Sequence, residues 1–195
     1  KAKIEIADEE ILIKKSLNRV VSKDILSPSD YPLCDNAAFD GFAINSNDTI
    51  IINKKKIKHF KIIGFIAAGD KPLTKKVKKF ETVEIMTGGI VSKPFNTIIP
   101  IEKINFYPNK QNPKSIIIDH RINQFNYVRF KGSDYKKNQL IIKKGTVIQS
   151  NHILALKTLG VKKIKVKKKL KILFFSTGNE VSNSDKIPRW KVRNS

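Results

Sequence analysis

The sequence predicts an α+β chain of several domains. A β-rich unit of small-barrel or sandwich type lies in the middle, and an α/β domain begins near the end. Three observations predict this. From Gly41 to about Ile118, short apolar runs alternate with turn-forming Gly, Pro, Asn and Asp. On either side, Leu17–Ile25 and the stretch after Ser150 carry apolar residues at helical spacing. Finally, Leu170–Phe175 is a nearly continuous apolar run that stops at Ser176-Thr177-Gly178-Asn179-Glu180. A strand buried on both faces and ending in a small polar loop is how α/β ligand sites begin.

Taken in order, Ser16 is placed to cap a helix over Leu17–Ile25, with Leu17, Val20, Val21 and Ile25 on one face. Pro28 limits its extension. Strands are expected at Gly41–Ile44, Thr49–Ile52, Phe60–Ile66, Thr82–Met86, Asn96–Ile101 and Ile116–Ile118. Turns separate them at Gly69–Pro72, Gly88-Gly89 and Pro108–Pro113. Gly145-Thr146 is a turn. Ser150 is then placed to cap a second helix that ends at Gly160. Val161–Val166 alternates with lysine, as a half-exposed strand does.

Composition narrows the function classes. The chain has 195 residues, 40% of them hydrophobic, enough for a real core. Its net charge is +22, which raises the question of a polyanionic partner. Of the 39 basic residues, however, 34 are Lys and only 5 are Arg, and Ile and Asn are also abundant. That joint excess matches AT-rich codons, and nucleic-acid sites favour Arg and aromatics. Nucleic acid is therefore not the expected partner. Cys34 is the only cysteine, so no intrachain disulfide forms, and a reducing, cytoplasmic setting fits. No apolar run approaches the roughly 20 residues of a membrane span. Both ends read as cut, as in a fragment.

Cys34–Ile44, C-D-N-A-A-F-D-G-F-A-I, is the most distinctive stretch. Small residues beside acids indicate a tight turn that presents Asp35 and Asp40 at defined places. On spacing alone, a plain Asx-type turn leading into a strand accounts for it. Other candidates have bland readings too. His59, His120 and His152 lack metal-ligand spacing and suit surface or capping roles. Cys34 has no neighbouring His to make it a nucleophile. Met86 and the phenylalanines read as core. Trp190 reads as a residue that packs on a segment outside the chain. The lysine runs at 54–56, 75–79 and 167–169 read as solvated faces.

Five segments carry a resemblance in matching order. They are Leu17–Val20 with Asp24-Ile25 and Ser27-Pro28; Asp35–Ala43; Ile85-Met86-Thr87-Gly88; Gly132-Ser133-Asp134; and Leu159-Gly160-Val161 followed by Phe175–Glu180. Together the chain resembles the N-terminal half of the molybdopterin molybdenumtransferases, the family that includes the C-terminal domain of gephyrin. The second segment is the most specific, since the family carries D-N-S-A-M-D-G-Y-A there.

The resemblance implies a discontinuous helical linker and dimerisation domain at 1–40 and 133–167. It implies an inserted β-rich, barrel-like domain at 41–132 and the first strand of a truncated α/β molybdopterin-binding domain at 168–195. It implies a homodimer acting in molybdenum cofactor biosynthesis. The implied reaction inserts molybdenum from molybdate into adenylylated molybdopterin and releases AMP. Mg²⁺ would assist, and a molybdopterin adenylyltransferase would be the upstream donor. Anionic substrates of this kind need a cation held by carboxylates. The matching positions assign catalytic roles to Asp40, Thr87, Asp134 and Glu180. They assign cofactor binding to Ser176, Thr177 and Gly178, and metal binding to Asp40 and Glu180. Asp35 and Asn36 are left as turn and hydrogen-bond formers.

The departures are specific. The acidic pair of G-E-D is Ser133-Asp134 here, S-T-G-D-E is S-T-G-Asn179-Glu180, and the loop after M-T-G is Gly89–Pro94. Each removes negative charge or loop rigidity. A non-catalytic, gephyrin-like scaffold or cofactor-binding relative is the alternative reading. Residues 1–195 are not expected to catalyse the reaction by themselves.

Overall fold

The strand Gly41–Ile44 is buried along its whole length and pairs on both edges. That is why G-F-A-I reads as an unbroken apolar run rather than an alternation. The computed structural model describes residues 5–52, 56–173 and 175–193. In chain order the strands are β1 Asp8–Leu12, β2 Ile25–Leu26, β3 Asn36–Ala37, β4 Gly41–Ile44, β5 Lys58–Ile66, β6 Glu81–Ile85 and β7 Thr97–Pro100. They continue with β8 Asn105–Tyr107, β9 Ser115–Ile118, β10 Val128–Arg129, β11 Leu140–Ile142, β12 Lys163–Lys167, β13 Val181–Ser182 and β14 Val192–Arg193. One α-helix, α1, spans Ser150–Thr158.

Six strands form one sheet in the order β7-β4-β6-β5-β9-β8. All its pairings are antiparallel except β5 with β6. Successive side chains of β4 go to opposite faces. Phe42 and Ile44 join Phe60, Ile99, Ile116 and Ile118 on one side. Ala43 joins Val83, Ile85 and Ile98 on the other. The register of β5 against β6 shifts between Ile62 and Phe65, at Gly64. Phe60 and Ile62 pack on one face, whereas Ile63 and Ile66 both pack on the other. Such a flip needs an extra residue in the strand.

A third buried cluster draws on both ends of the described chain: Ile13, Val21, Ile142, Ile148, Leu156, Ile164 and Val166. β1 pairs antiparallel with β12, and β11 with β2, to frame it. Helix α1 covers it through Leu156, which is fully buried.

Several expectations need correction. Residues 17–25 are not helical. Ile13–Lys15 makes a single 3₁₀ turn, and Asn18 takes a φ of 60°. Val20 and Val21 then bridge Val147 and Val166, because β-branched neighbours gain more from pairing than from a helix. Ser16 Oγ donates to the Ile13 carbonyl at 2.7 Å, at the end of the 3₁₀ turn, and so caps no following helix. Thr49–Ile52 is not a strand either. Ser46–Thr49 is a 3₁₀ turn, with Asn45 Oδ1 accepting from Asn47 N at 3.1 Å. The N-cap of α1 is Gln149, one residue before Ser150, and His152 Nδ1 accepts from Gln149 N at 3.1 Å. Gly160 does end the helix, with a φ of 73°.

The expected strand at 170–175 is absent from the described residues of that run. Leu170, Ile172, Leu173 and Phe175 are all more than half exposed. A doubly buried strand needs neighbours on both edges and cover on both faces, and the described residues supply neither. β13 and β14 form a separate two-stranded parallel pair. Met86 is 37% exposed, and Phe39, Phe65, Phe125, Phe130 and Phe175 are exposed as well, so only some phenylalanines are core. Trp190 is 78% exposed. In the lysine run at 54–56, Lys54 and Lys55 lie outside the described residues. No helix among the described residues is long and apolar enough to cross a membrane.

Candidate active site

Asp40 sits at the mouth of β4 because Gly41 follows it. Gly41 lies against Pro100 of β7, and a side-chain carbon there would collide with the Ile99 carbonyl. Only glycine lets β7 approach so closely. Ile101 N donates to the Asp40 carbonyl at 3.0 Å, which fixes the Asp40 backbone.

Thr87 arrives from the other direction. β6 ends at Ile85, and Met86–Gly89 turns back, with Gly88 at a φ of 84° and Gly89 N donating to the Met86 carbonyl. This turn docks on Ala37: Gly88 N donates to the Ala37 carbonyl at 2.8 Å, and Ala37 N donates to the Gly89 carbonyl at 2.9 Å. Asp40 Oδ1 then accepts from Thr87 N at 2.6 Å and from Thr87 Oγ1 at 2.7 Å. The Thr87 N–H and then the Thr87 hydroxyl hold the Asp40 carboxyl below its ordinary value of 3.8, against a smaller opposing effect of desolvation. Among the described residues no ion pair contributes. Asp40 is thus an exposed carboxylate kept ionised and aimed by neutral donors.

Asp134 reaches the same loop by another path. β3 pairs with β10, so Asn36 lies opposite Arg129. Asp35 Oδ1 accepts from Lys131 N at 2.8 Å, and Val91 N donates to the Asp35 carbonyl. Asp35 therefore clamps the loop between the segment around 131 and the altered loop after Gly89. Asp134 is ion-paired with Arg129 and accepts from Ser133 Oγ at 3.1 Å. Its N–H donates to the Tyr31 carbonyl, and the Arg129 guanidinium lies 5.9 Å from the centre of the Tyr31 ring.

Glu180 is elsewhere in the bonding pattern. Its carboxylate folds back on Gly178, in the space a side chain at 178 would need, and its carbonyl accepts from Val192 N at 2.8 Å. Ser176, Thr177 and Gly178 are exposed. The structure therefore joins Asp40 to Thr87 and Asp134 to Arg129. Among the described residues no hydrogen bond or ion pair joins Glu180 to either pair. Nor does any group of three or more His, Cys, Asp and Glu side chains gather closely enough for a metal ion. The described residues therefore do not by themselves make a Mg²⁺ site, which needs an octahedral set of oxygens.

Sequence reasoning overlooked Arg129. Its signal was scarcity: with 34 Lys and 5 Arg, an Arg marks a place where a planar, bidentate cation matters. The histidines are structural in the way expected. His59 Nδ1 meets Ser115 Oγ at 3.1 Å, His120 pairs with Asp119, and His152 caps α1. Cys34 is free and exposed.

This geometry coincides with a family match. Residues 1–160 match the family described as the MoeA N-terminal region (domain I and II). The chain belongs to that family. As a MoeA N-terminal region it is 30% identical over 186 residues to a molybdopterin molybdenumtransferase of Staphylococcus aureus, covering 95% of this chain and 43% of that protein. It is 25% identical over 180 residues to one of Synechococcus elongatus, covering 92% of this chain. A crystal structure of a molybdopterin biosynthesis MoeA protein from Pyrococcus horikoshii superposes with a TM-score of 0.87 at 30% identity, over 99% of this chain and 48% of that one. The MoeA N-terminal region described here thus spans under half the length of the relatives it matches.

Proposed function

We propose that this chain is the N-terminal part of a molybdopterin molybdenumtransferase acting in molybdenum cofactor biosynthesis. The reaction is insertion of molybdenum from molybdate into adenylylated molybdopterin, with release of AMP. The observation that carries the reading is the Asp40–Thr87 pair: two donors from one residue converge on one carboxylate oxygen. Both donors favour the charged carboxylate, which suits a group that orients water or a bound cation rather than one that takes up a proton. Asp40 Oδ1 is occupied, and Oδ2 has no protein donor among the described residues. Oδ2 is the atom that would orient water or the adenylate. Asp134, steadied by Arg129, holds the neighbouring segment in place.

The same proposal includes a divalent cation, Mg²⁺, with Asp40 and Glu180 among its ligands and the rest of its oxygen set supplied from outside the described residues, and Ser176, Thr177 and Gly178 at the cofactor. When bound, the cation would offset the charge of the phosphates. It also includes a cytoplasmic homodimer that receives its substrate from a molybdopterin adenylyltransferase, with residues 1–40 and 133–167 as the linker and dimerisation unit, 41–132 as the inserted β-rich unit and 168–195 as the start of the α/β unit.

The test is complementation of a molybdenum-cofactor-deficient strain by the full-length protein and its Asp40→Ala variant. Restored molybdoenzyme activity with wild type, lost with Asp40→Ala, supports the transferase. Equal restoration by both removes Asp40 from the chemistry. No restoration by well-folded wild type favours the scaffold reading instead.

A further inference from the structure

Along β7, at the outer edge of the sheet, lies a cavity of about 140 Å³ lined by Lys103, Tyr127, His120 and Asn126 and by the apolar Ile98, Ile99, Pro100 and Ile122. Two backbone bonds tie it to the Asp40 loop. Ala38 N donates to the Tyr127 carbonyl at 2.9 Å, and Ile101 N donates to the Asp40 carbonyl at 3.0 Å. The short 3₁₀ turn Ile101–Lys103 therefore starts on Asp40 itself and ends in Lys103. Phe39, the residue before Asp40, packs edge-on against Tyr127 with ring centres 5.1 Å apart.

Lys103 and Tyr127 supply the paired donors of this lining. Lys103 Nζ donates to Tyr127 Oη at 2.7 Å. The phenol oxygen accepts that bond, so its own O–H is free to donate, and the ammonium keeps two more N–H groups. Among the described residues Lys103 makes no ion pair with a carboxylate. His120 Nδ1 lies 2.6 Å from Asp119 Oδ1, and Lys103 is the one lysine or arginine in the lining. The volume is well below the roughly 300–1,000 Å³ of a pocket for a drug-sized molecule. It has room for about four or five waters. That suits a small oxyanion.

We propose that Lys103 and Tyr127 form a binding site for a tetrahedral oxyanion, joined to the Asp40 loop through the Ile101–Lys103 turn. Taken with the transferase reading, on which this assignment of role rests, the occupant is either free molybdate or the phosphate of the adenylate. Lys103 is a binding residue, and Phe39 positions Tyr127 by packing.

Calorimetric titration of the intact chain with sodium molybdate, inorganic phosphate and AMP separates the sources. Binding of molybdate or phosphate to wild type, weakened at least tenfold in Lys103→Met, about threefold in Tyr127→Phe and retained in Lys103→Arg, is the expected result. Tighter binding of AMP than of either free ion assigns the site to the adenylate phosphate; tighter molybdate assigns it to the metal oxyanion. Lys157→Met, on α1 away from the cavity, serves as the control for net charge. No oxyanion binding, or equal weakening by Lys157→Met and Lys103→Met, overturns the site. Complementation fails independently: wild type that binds oxyanion through Lys103 yet restores no activity sinks the transferase reading and leaves the site standing.

Discussion

Thr87 donates its backbone N–H at 2.6 Å and its hydroxyl at 2.7 Å to the same oxygen of Asp40, from 47 residues away in sequence. Each donor favours the charged carboxylate, so the pair holds the Asp40 pKa down without a cationic neighbour. Thr87→Val removes the hydroxyl and keeps the N–H. The Asp40 pKa should therefore rise part of the way back to 3.8 and not beyond it. Carboxyl-carbon NMR titration of wild type and variant measures this directly. An unchanged Asp40 titration would show that the hydroxyl bond is not formed in solution.

The same depression has a consequence for acid stability. Asp40, Asp30 and Asp8 all sit below 3.8, Asp30 chiefly through the Lys137 N–H and Asp8 chiefly through the Lys167 ammonium. A carboxyl whose folded pKa is depressed stabilises the fold fully above its unfolded value. It loses that contribution as pH falls through the folded value. Stability should hold from neutrality to about pH 4 and fall below 3.8. Melting temperatures from pH 7 to pH 2 check it, and Lys167→Met should reduce the acid-sensitive part.

Gly41 and Gly69 separate two reasons for glycine. At Gly41 an added carbon meets the Ile99 carbonyl carbon at 2.8 Å and its oxygen closer still, so β7 must move. At Gly69 the φ is 88° but nothing lies within 4 Å. Gly41→Ala should cost about 3 kcal/mol, the upper end of overpacking penalties. Gly69→Ala should cost about 1 kcal/mol from its left-handed backbone. Urea unfolding of the two variants gives the order, and a reversed order would refute the close approach of β7.

Asp35 and Asp40 lie five residues apart and should behave oppositely. Asp35→Ala loses the bond from Lys131 N and should cost about 1 kcal/mol while full-length protein still complements. Asp40→Asn keeps an oxygen for Thr87 and loses only the charge. It should melt slightly below wild type at neutral pH, lose the Asp40 share of the acid-sensitive stability, and fail to complement. Paired melting and complementation assays decide which acid is structural.

The central strand was legible because burial on both faces leaves an apolar run, and Gly41 marked its start. The segment 17–25 misled because Val20 and Val21 also fall at helical spacing, and periodicity over nine residues cannot see their partners Val147 and Val166, more than 120 positions away. Thr49–Ile52 misled because β-branched content hid an Asn45-led turn. At the site, motif order pointed to Asp40 and Thr87 together, but the convergence of two donors on one oxygen is visible only in three dimensions. Lys103 was lost in the background of 34 lysines, where charge by itself does not distinguish a solvated face from a placed cation.

That background makes the final prediction. The +22 charge guarantees some attraction to DNA, yet two of the five arginines, Arg19 and Arg129, are committed to Glu9 and Asp134. The lysines of the run at 75–79 are exposed and lie in a loop, and Lys78 and Lys79 share their groove with Asp48. Contact to phosphates by dispersed lysines is counterion release with no base readout. Fluorescence anisotropy should show duplex DNA binding at 50 mM salt that weakens about 10³-fold or more by 200 mM, for six or more phosphate contacts. Unrelated duplexes should bind equally. Lys103→Met should leave this DNA binding nearly unchanged, as one lysine among 34, while it removes oxyanion binding. DNA affinity that survives 200 mM salt or prefers one sequence would instead make nucleic acid a specific partner.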